Sequence, residues 1–309
     1  MRLWILPLLL VVAGGARAYD CGYTIQMNSF LGDVKDNAQT NPHSATLTRG
    51  SGSNDNQCKR YQVYFGKGYS NSYQRRAYSG LNSLTYNIYR TVNQGNILKD
   101  YGDAGAGEFI DAQSPTQQTP STITFAISIP DLDDIFTSSP SGVYTDVVPL
   151  NFYSVNPGEV PKYQTTRYLT LSFRLPRYAE LSIVPENSSH NPTSTTYVMD
   201  FGNIEQNEEL RADLWVKGNV GYGVMMSSMN GSKLVSTAGP SSTVPYTIRV
   251  GSGSYTTLSP AGNAFTMAQR FFGTNTQGER YNMRVKLGSF GQLEGGDYQD
   301  IITVTIQAY

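Results

Sequence analysis

The residues best suited to catalysis or to metal binding are few in this chain. Its two histidines, His43 and His190, lie in polar stretches that are typical of loops. A Ser-His-Asp triad or a histidine metal site needs a histidine that other acids or ligands hold in place. Two separate loop histidines supply no such arrangement, so we predict neither a catalytic residue nor a metal site.

Three other stretches look like ligand-binding motifs but lack the residues that such motifs need. Asp131, Asp133 and Asp134 are not followed by the glycine and glutamate of an EF-hand calcium loop. The sequence GSGSY at 251–255 has no serine in the G-x-S-x-G position of a nucleophile elbow. The sequence GDAGAG at 102–107 lacks the lysine of a phosphate-binding loop. We therefore predict a protein that is not an enzyme and that uses no cofactor.

The overall composition favours β-structure. The chain has 22 Tyr and 30 Gly among its 309 residues, with Thr and Ser throughout, and these residue types favour strands and turns over helices. The net charge is −1 and 15% of the residues are charged, so no strong field attracts nucleic acid. These features predict an all-β protein that does not bind nucleic acid.

The N-terminal stretch and the two cysteines indicate export. Residues 1–18 combine a basic residue, an apolar run and a small-residue ending, which is the pattern of a secretory signal peptide. In an exported chain the even pair Cys21 and Cys58 predicts one disulfide bond. No later apolar run approaches the about 20 residues of a membrane helix, so we predict a soluble, exported mature protein.

Short alternating segments separated by turn residues are typical of β-sandwiches. Tyr61–Phe65 is predicted to pair with the alternating strand Tyr23–Met27, while the polar Lys35–Asn56 is predicted to be a loop or an irregular strand. Leu84–Arg90 is predicted to be a single strand, and so is Tyr197–Phe201 in the second half.

One alternating pattern occurs twice. Gly142–Phe152 and Gly296–Ile306 each contain a tyrosine, an aspartate two residues later, and then large apolar residues at every second position. The first copy is followed by another alternating segment, Leu169–Leu175, and the second by no further segment in this sequence. We therefore predict two tandem Ig-like sandwiches, the first closed by its own last strand and the second lacking its final strand. The predicted parts are the signal peptide 1–18, domain one 19–176 and domain two 177–309.

Three stretches carry a pattern that is typical of one protein family. They are the G-x-Y-x-D ending used twice, the segment ISIPDLDDIFTSSPSGVYTDVVPLNF at 127–152, and the segment ADLWVKGNVGYGVMMSSMNGSKL at 212–234. These stretches resemble the spore coat protein U domain, the subunit type of archaic chaperone–usher pili. The two-domain arrangement is similar to that of the tip adhesins of these pili.

The resemblance implies donor-strand complementation, in which a sandwich that lacks a strand accepts one from another polypeptide. The implied partners are a periplasmic pilus chaperone, an outer-membrane usher and an adjacent pilin subunit that donates its N-terminal strand. The implied donor-strand edge of domain two is formed by Ile302, Val304, Ile306 and Ala308. Only Tyr19-Asp20 separates the signal peptide from Cys21, so we expect a subunit that takes a strand but gives none, at the extracellular tip of a pilus.

Binding is then expected to fall to apolar residues in turn-like places of domain one, which would attach the pilus to an abiotic or host surface and start a biofilm. The same side chains could instead close the ends of the sandwich. A third possibility is that tyrosines beside arginines stack on sugar rings, and a secreted carbohydrate-binding or coat-like double sandwich outside any fibre remains the alternative function. The predicted adhesive residues are Phe109, Ile110, Leu132, Ile135 and Phe136, with Phe30-Leu31 nearby, and the tyrosine set is Tyr69, Tyr73 and Tyr78 with Arg75-Arg76.

Overall fold

A computed structural model of the chain describes residues 20–34, 38–50, 58–116, 118–130, 139–239, 242–260, 263–274 and 277–309. Over these ranges the chain forms β-strands, turns and one short 3-10 helix, Gly68–Ser70. None of its described helical structure has the length and apolar character needed to cross a membrane. The predicted all-β fold class is confirmed.

The first sandwich consists of two facing sheets with one shared core. Its strands are β1 Tyr23–Met27, β2 Phe30–Asp33, β3 Gln39–Arg49, β4 Arg60–Phe65, β5 Arg76–Ser79, β6 Asn82–Thr85, β7 Asn87–Tyr89, β8 Ile110–Gln113, β9 Ser121–Ile129, β10 Gly142–Val155 and β11 Lys162–Leu175. One sheet has the order β1-β3-β9-β7, and the other has β2-β11-β10-β4-β8 with β5 and β6 attached to β10.

In the described part of the chain, the second sandwich follows the same plan with one strand fewer at its edge. Its strands are β12 Ala179–Pro185, β13 Glu209–Gly218, β14 Tyr222–Ser228, β15 Lys233–Ser236, β16 Thr243–Val250, β17 Phe265–Arg270, β18 Glu279–Leu287, β19 Tyr298–Gln299 and β20 Ile302–Ala308. The sheet orders are β12-β13-β18-β16-β15-β19 and β17-β14-β20. The two predicted tandem sandwiches are therefore confirmed as the fold class. The division at residue 176 falls between β11 and β12 and stays a prediction.

The predicted disulfide is present and links the two sheets of the first sandwich. Cys21 and Cys58 are both buried, with 5.9 Å between their Cα atoms. Cys21 precedes β1 in one sheet, and Cys58 precedes β4 in the other sheet. The bond therefore holds the sheets together at one end of the sandwich.

Removing this bond should destabilise the first sandwich selectively. The double change Cys21→Ser and Cys58→Ser is expected to lower its free energy of unfolding in urea by about 2–4 kcal/mol, because the unfolded chain loses a crosslink. Trp215 lies on β13 and reports on the second sandwich through its fluorescence. An equal shift of the Trp215 transition would contradict a bond that acts on the first sandwich alone.

Three strand predictions for the first sandwich are wrong in detail. Tyr61–Phe65 pairs with β8 and β10, while Tyr23–Met27 pairs with β3, so the two segments lie in different sheets. The polar Lys35–Asn56 contains the 11-residue strand β3. Leu84–Arg90 is split at Tyr86, because β6 belongs to one sheet and β7 to the other.

Candidate functional site

The aspartate of the first repeat copy is a fully buried hydrogen-bond acceptor. The Tyr86 hydroxyl donates to Asp146 Oδ2 at 2.5 Å, and the backbone N–H groups of Tyr69 and Val147 donate to Oδ1 at 2.9 and 2.7 Å. Burial raises the pKa of Tyr86, and the Asp146 carboxylate raises it further, so the hydroxyl stays protonated and donates. Gly68 lies at φ +69°, and a Cβ there would clash with the carboxylate.

The aspartate of the second copy has matching partners. The Tyr246 hydroxyl donates to Asp300 Oδ2 at 2.7 Å, and the N–H groups of Asn230 and Ile301 donate to Oδ1 at 3.0 and 2.7 Å. The Ser228 hydroxyl adds a fourth hydrogen bond, at 2.5 Å. Burial raises the pKa of Tyr246, and its hydrogen bond to Asp300 raises it further. The two copies of the repeat are therefore equivalent in structure as well as in sequence.

These hydrogen bonds reveal a second repeat that the sequence analysis missed. Each donor tyrosine is followed two residues later by a buried isoleucine, Tyr86 by Ile88 and Tyr246 by Ile248. A comparison of TYNIYR with PYTIRV could have found this pattern. The pattern is short, and its significance comes only from the aspartates, which lie 60 and 54 residues further along the chain.

The strands that pair with the two repeat copies are equivalent to each other as well. Val304 on β20 pairs with Met226 on β14. At the same place in the first sandwich, Leu150 on β10 pairs with Phe65 on β4. The strands β14 and β4 therefore correspond to each other. The two sandwiches differ at the opposite edge of each repeat strand, which is the edge that faces away from β14 or β4.

That other edge is covered in the first sandwich and open in the second. β11 pairs with β10 antiparallel along its whole length, from Gly142↔Leu175 to Ser154↔Lys162. β20 is the end strand of its sheet, and among the described residues no strand pairs with its outer edge. The same segment type is therefore internal in one sandwich and terminal in the other.

Burial of the repeat residues follows this difference. Val148, Leu150 and Phe152 on β10 are all 0% exposed. Their counterparts on β20, which belong to the predicted donor-strand edge, are only half-buried, and Ala308 is exposed. Partial burial of large apolar residues on a strand with one open edge marks a surface where covering would lower the free energy. The counterparts are Ile302, Val304 and Ile306.

A groove lies beside β20, between the two sheets, and apolar core side chains form part of its lining together with polar ones. Its volume is about 930 Å³, and it extends along residues 293–302 and 195–204. The groove gives access to the core of the second sandwich. Core and edge side chains that line it are Ile183, Leu234, Tyr246, Met283, Val285 and Leu293.

The segment Tyr197–Phe201, which was predicted to be a strand, has no strand structure and lines the groove. Met199 and Phe201 are partly buried against the core of the second sandwich. In the first sandwich the strand in the matching place, β2, pairs in parallel with β11. Among the described residues, the segment Tyr197–Phe201 has no neighbouring strand of this kind. The absence of a pairing strand explains why its alternating sequence has no strand structure.

The predicted adhesive residues do not form one exposed patch among the described residues. Ile110 begins β8 and is buried in the core, and Phe109 stacks on Tyr64 with 4.9 Å between ring centroids. Phe30 is buried against Phe173, whereas Leu31 is exposed. The other three predicted residues lie outside the described residues. They are Leu132, Ile135 and Phe136.

Arg75, one member of the tyrosine and arginine set, is fully buried and cannot contact a sugar. Its guanidinium donates to the backbone carbonyls of Phe65, Gly66 and Leu98 and to Asn87 Oδ1, at 2.6 to 3.1 Å. Arg75 therefore ties loops together inside the first sandwich. The exposed members of the set are Tyr69 and Arg76.

The histidines serve local contacts. His43 Nε2 lies 2.9 Å from the carbonyl oxygen of Asn28, and its ring packs between Phe30 and Phe125. His190 lies 3.2 Å from Glu180, and burial lowers its pKa. In the described part of the chain, no group of three or more His, Cys, Asp or Glu side chains could hold a metal ion.

Comparison with family models finds a match in the first half of the chain. The model of the Spore Coat Protein U domain matches residues 9–151. The predicted resemblance to this family is therefore confirmed over that stretch. No curated protein matches the chain.

Several solved structures are similar to the whole chain at low identity. The CsuC–CsuE chaperone–tip adhesion subunit pre-assembly complex of the archaic Csu pili of Acinetobacter baumannii has 14% identity and a TM-score of 0.44, covering 92% of this chain and 100% of that one. A mutant of the CfaE adhesin of enterotoxigenic E. coli has 12% identity and a TM-score of 0.41, covering 91% and 92%. The CupB6 tip adhesin of Pseudomonas aeruginosa has 10% identity and a TM-score of 0.40, covering 93% and 94%. At these values the likeness is descriptive only.

Proposed function

We propose that this protein is the tip adhesin of an archaic chaperone–usher pilus and that residues 177–309 mount it on the fibre by accepting a donor strand. The observation that carries the proposal is the outer edge of β20, which has no partner strand among the described residues and lies beside a groove where core side chains are accessible. An open edge next to apolar surface is a combination that soluble monomers avoid. A strand from another polypeptide would pair with the edge and cover the groove.

The first sandwich supplies the expected register of the donor strand. Leu169, Leu171 and Phe173 on β11 lie opposite Val148, Asp146 and Tyr144 on β10. If a donor strand completes the second sandwich in the way that β11 completes the first, it would run antiparallel to β20. It would then place three large apolar residues opposite positions 302, 300 and 298. Residues 293–302 line the groove, so this register directs the apolar side chains into it.

The extent of the family match also supports the proposal that the second sandwich accepts a donor strand. The match ends at Asn151, inside β10 and before β11 begins at Lys162. β11 therefore lies beyond the matched unit, as a strand that this chain supplies to itself. The second sandwich has the counterpart of β10 without a described counterpart of β11.

The remaining parts of the proposal follow from the family. A periplasmic chaperone would hold the open edge during export, an outer-membrane usher would assemble the fibre, and an adjacent subunit would donate the final strand. Domain one, residues 19–176, would then attach the pilus to an abiotic or host surface and promote biofilm formation. The place at the extracellular tip stays a prediction.

A donor peptide directly tests whether the second sandwich accepts a strand. A synthetic peptide that copies Thr165–Leu175 should raise the thermal unfolding temperature of the Trp215-bearing sandwich in the mature chain and keep the protein monomeric in size-exclusion chromatography. The physical reason is burial of several apolar side chains, each contributing about 1.5–3 kcal/mol when fully covered. The matched control is the same peptide with Leu169→Ser, Leu171→Ser and Phe173→Ser.

Two results would contradict the proposal. One is equal stabilisation by the control peptide, which would mean that apolar side chains do not enter the groove. The other is a monomeric, fully stable chain whose unfolding does not respond to the peptide at all, which would mean that the edge of β20 needs no partner.

A further inference from the structure

Five aromatic rings form a continuous cluster on the first sandwich. Tyr101 stacks on Tyr153 with 4.7 Å between ring centroids, and Tyr64 stacks on Phe109 at 4.9 Å. Tyr64 also meets the edges of Tyr101 and Tyr153, and Tyr163 meets Tyr153 at 5.7 Å. We call these five residues the aromatic cluster.

The aromatic cluster lies on the outer face of its sheet. Phe152 and Ser154 on β10 are buried, so Tyr153 between them points away from the core. Tyr64 on β4 lies between Val63 and Phe65, which belong to the core. Side chains from β4, β10 and β11 thus project from the same face, and the loop between β7 and β8 adds the last two rings.

The cluster combines a buried base with exposed rings. Tyr64 is 5% exposed, whereas Tyr101 and Tyr163 are 44% and 53% exposed. The Tyr64 hydroxyl donates to Gln62 Oε1 at 2.7 Å, and burial raises the pKa of Tyr64 to about 12. The inner rings hold the outer ones in place, so the exposed faces are ordered before any ligand arrives.

A strip of polar side chains borders the rings. Asn151 Nδ2 donates to Asp100 Oδ1 at 2.9 Å, and the Thr166 hydroxyl donates to Asn151 Oδ1 at 2.6 Å. The Tyr163 hydroxyl lies 2.8 Å from Thr166 Oγ1. Flat apolar faces beside fixed hydroxyl, amide and carboxylate groups match a pyranose, which has an apolar C–H face and a rim of hydroxyl groups.

Most charges around the aromatic cluster lie in opposite pairs. Three basic side chains at the rim each lie within 3.2 Å of an acidic one, and the Asp100 carboxylate accepts hydrogen bonds from Asn151 Nδ2 and from the N–H of Tyr101. Such pairing leaves no cationic surplus for an anionic polymer, and it favours a ligand that hydrogen-bonds to polar groups over one that is held by charge. The pairs are Arg60–Asp111, Lys99–Glu108 and Lys162–Glu159.

The cluster also lies far from the second sandwich. β10 starts beside the junction, where the N–H of Ser141 donates to the carbonyl oxygen of Asn219 at 3.3 Å. Tyr153 is 12 residues further along, which corresponds to about 40 Å of extended strand. The rings are therefore at the end of domain one that would face outward from a fibre.

From these observations we propose that the aromatic cluster is a binding face for neutral sugar rings, with Tyr101 and Tyr163 as the stacking residues. This inference rests on the proposed adhesive role of domain one. The aromatic cluster shares Phe109 with the predicted adhesive residues, and the other predicted adhesive residues stay a prediction. The inference does not depend on how the second sandwich is completed.

Binding to immobilised neutral oligosaccharides tests the assignment. With cellotetraose, maltotetraose and mannotetraose as probes, the mature chain should bind at least one of them. Tyr101→Ala and Tyr163→Ala should each weaken that binding about tenfold or more, since one lost ring contact of about 1.4 kcal/mol is a factor of ten. Tyr163→Phe keeps the ring and should retain most of the affinity.

The matched control is Tyr168→Ala, which removes an exposed tyrosine from the same strand outside the cluster. It should change affinity less than about twofold. An equal loss in Tyr168→Ala would overturn the proposal, and so would absence of binding to all three probes while every variant adsorbs to polystyrene equally. The donor-peptide experiment is run in parallel. Stabilisation by the peptide without sugar binding would reject the sugar site but would still support the proposal that the second sandwich accepts a donor strand.

Discussion

A chain that carries a second copy of residues 156–175 after Tyr309 is expected to have a second sandwich that is at least about 3 kcal/mol more stable. The appended segment would repeat the turn and strand that follow β10 in the first sandwich, and it would pair with the open edge of β20. Its apolar residues would enter the groove and would complete the burial of Ile302 and Val304. Gains of about 1.5–3 kcal/mol for each covered side chain would exceed the cost of ordering the segment.

Urea unfolding followed by Trp215 fluorescence measures this gain. The control carries the same appended segment with serine at the positions that copy Leu169, Leu171 and Phe173, and it should leave the transition unchanged. The disulfide-bonded first sandwich should unfold at the same urea concentration in all three chains. If the apolar and serine versions stabilise equally, or if neither does, β20 does not accept a strand in the register of β11.

The sequence predicted the repeat strands well because each is a self-contained pattern. β-branched and aromatic residues at every second position in Gly142–Phe152 and Gly296–Ile306 define both the strand and its buried face. These features depend on neighbours in the sequence.

The errors concern partners that are distant in the sequence. β3 is an 11-residue strand that contains Pro42 and His43 and buries only part of one face, so its polar sequence does not indicate a strand. It nevertheless takes the place beside β1 that was predicted for Tyr61–Phe65. Tyr86 continues the alternation of buried Leu84 and Ile88, yet the chain changes sheets at that residue, where the tyrosine hydroxyl donates to Asp146. Alternation identifies the face of a strand but not its neighbour.

The same reasoning explains why the aromatic cluster could not be predicted. Its members come from three strands and one loop, and they are spread over residues 64–163 of the sequence. Phe109 alone was among the predicted adhesive residues. Cross-strand contacts bring them together, and such contacts follow from register. The tyrosines that do stand close in sequence, Tyr73 and Tyr78, flank Arg75, which is buried for structural reasons.

Replacing the buried aspartate of the first repeat is expected to have the largest destabilising effect of any single change proposed. Asp146→Ala would leave the hydroxyl of Tyr86 and the N–H groups of Tyr69 and Val147 without their acceptor in a site that is fully buried. A buried donor without a partner costs about 1–3 kcal/mol, so the free energy of unfolding should fall by about 3–5 kcal/mol. Tyr86→Phe keeps the acceptor and its two amide donors, and it should cost about 1–2 kcal/mol.

The position of the aspartate, and not the loss of a negative charge, should decide the size of this effect. Asp103 has a half-exposed side chain that pairs with Lys67 at 3.0 Å and accepts a hydrogen bond from the Tyr73 hydroxyl, so Asp103→Ala should destabilise the chain much less than Asp146→Ala. Because Asp300 has the equivalent partners, Asp300→Ala should destabilise the Trp215-bearing sandwich and leave the first one unchanged, while Asp146→Ala should do the reverse. Urea unfolding of the four variants, with Trp215 fluorescence and near-ultraviolet tyrosine signals recorded together, separates the two sandwiches. If both aspartate variants moved both transitions by the same amount, the two sandwiches would unfold as one cooperative unit. A donor strand that completes the second sandwich would then have to stabilise the first sandwich as well.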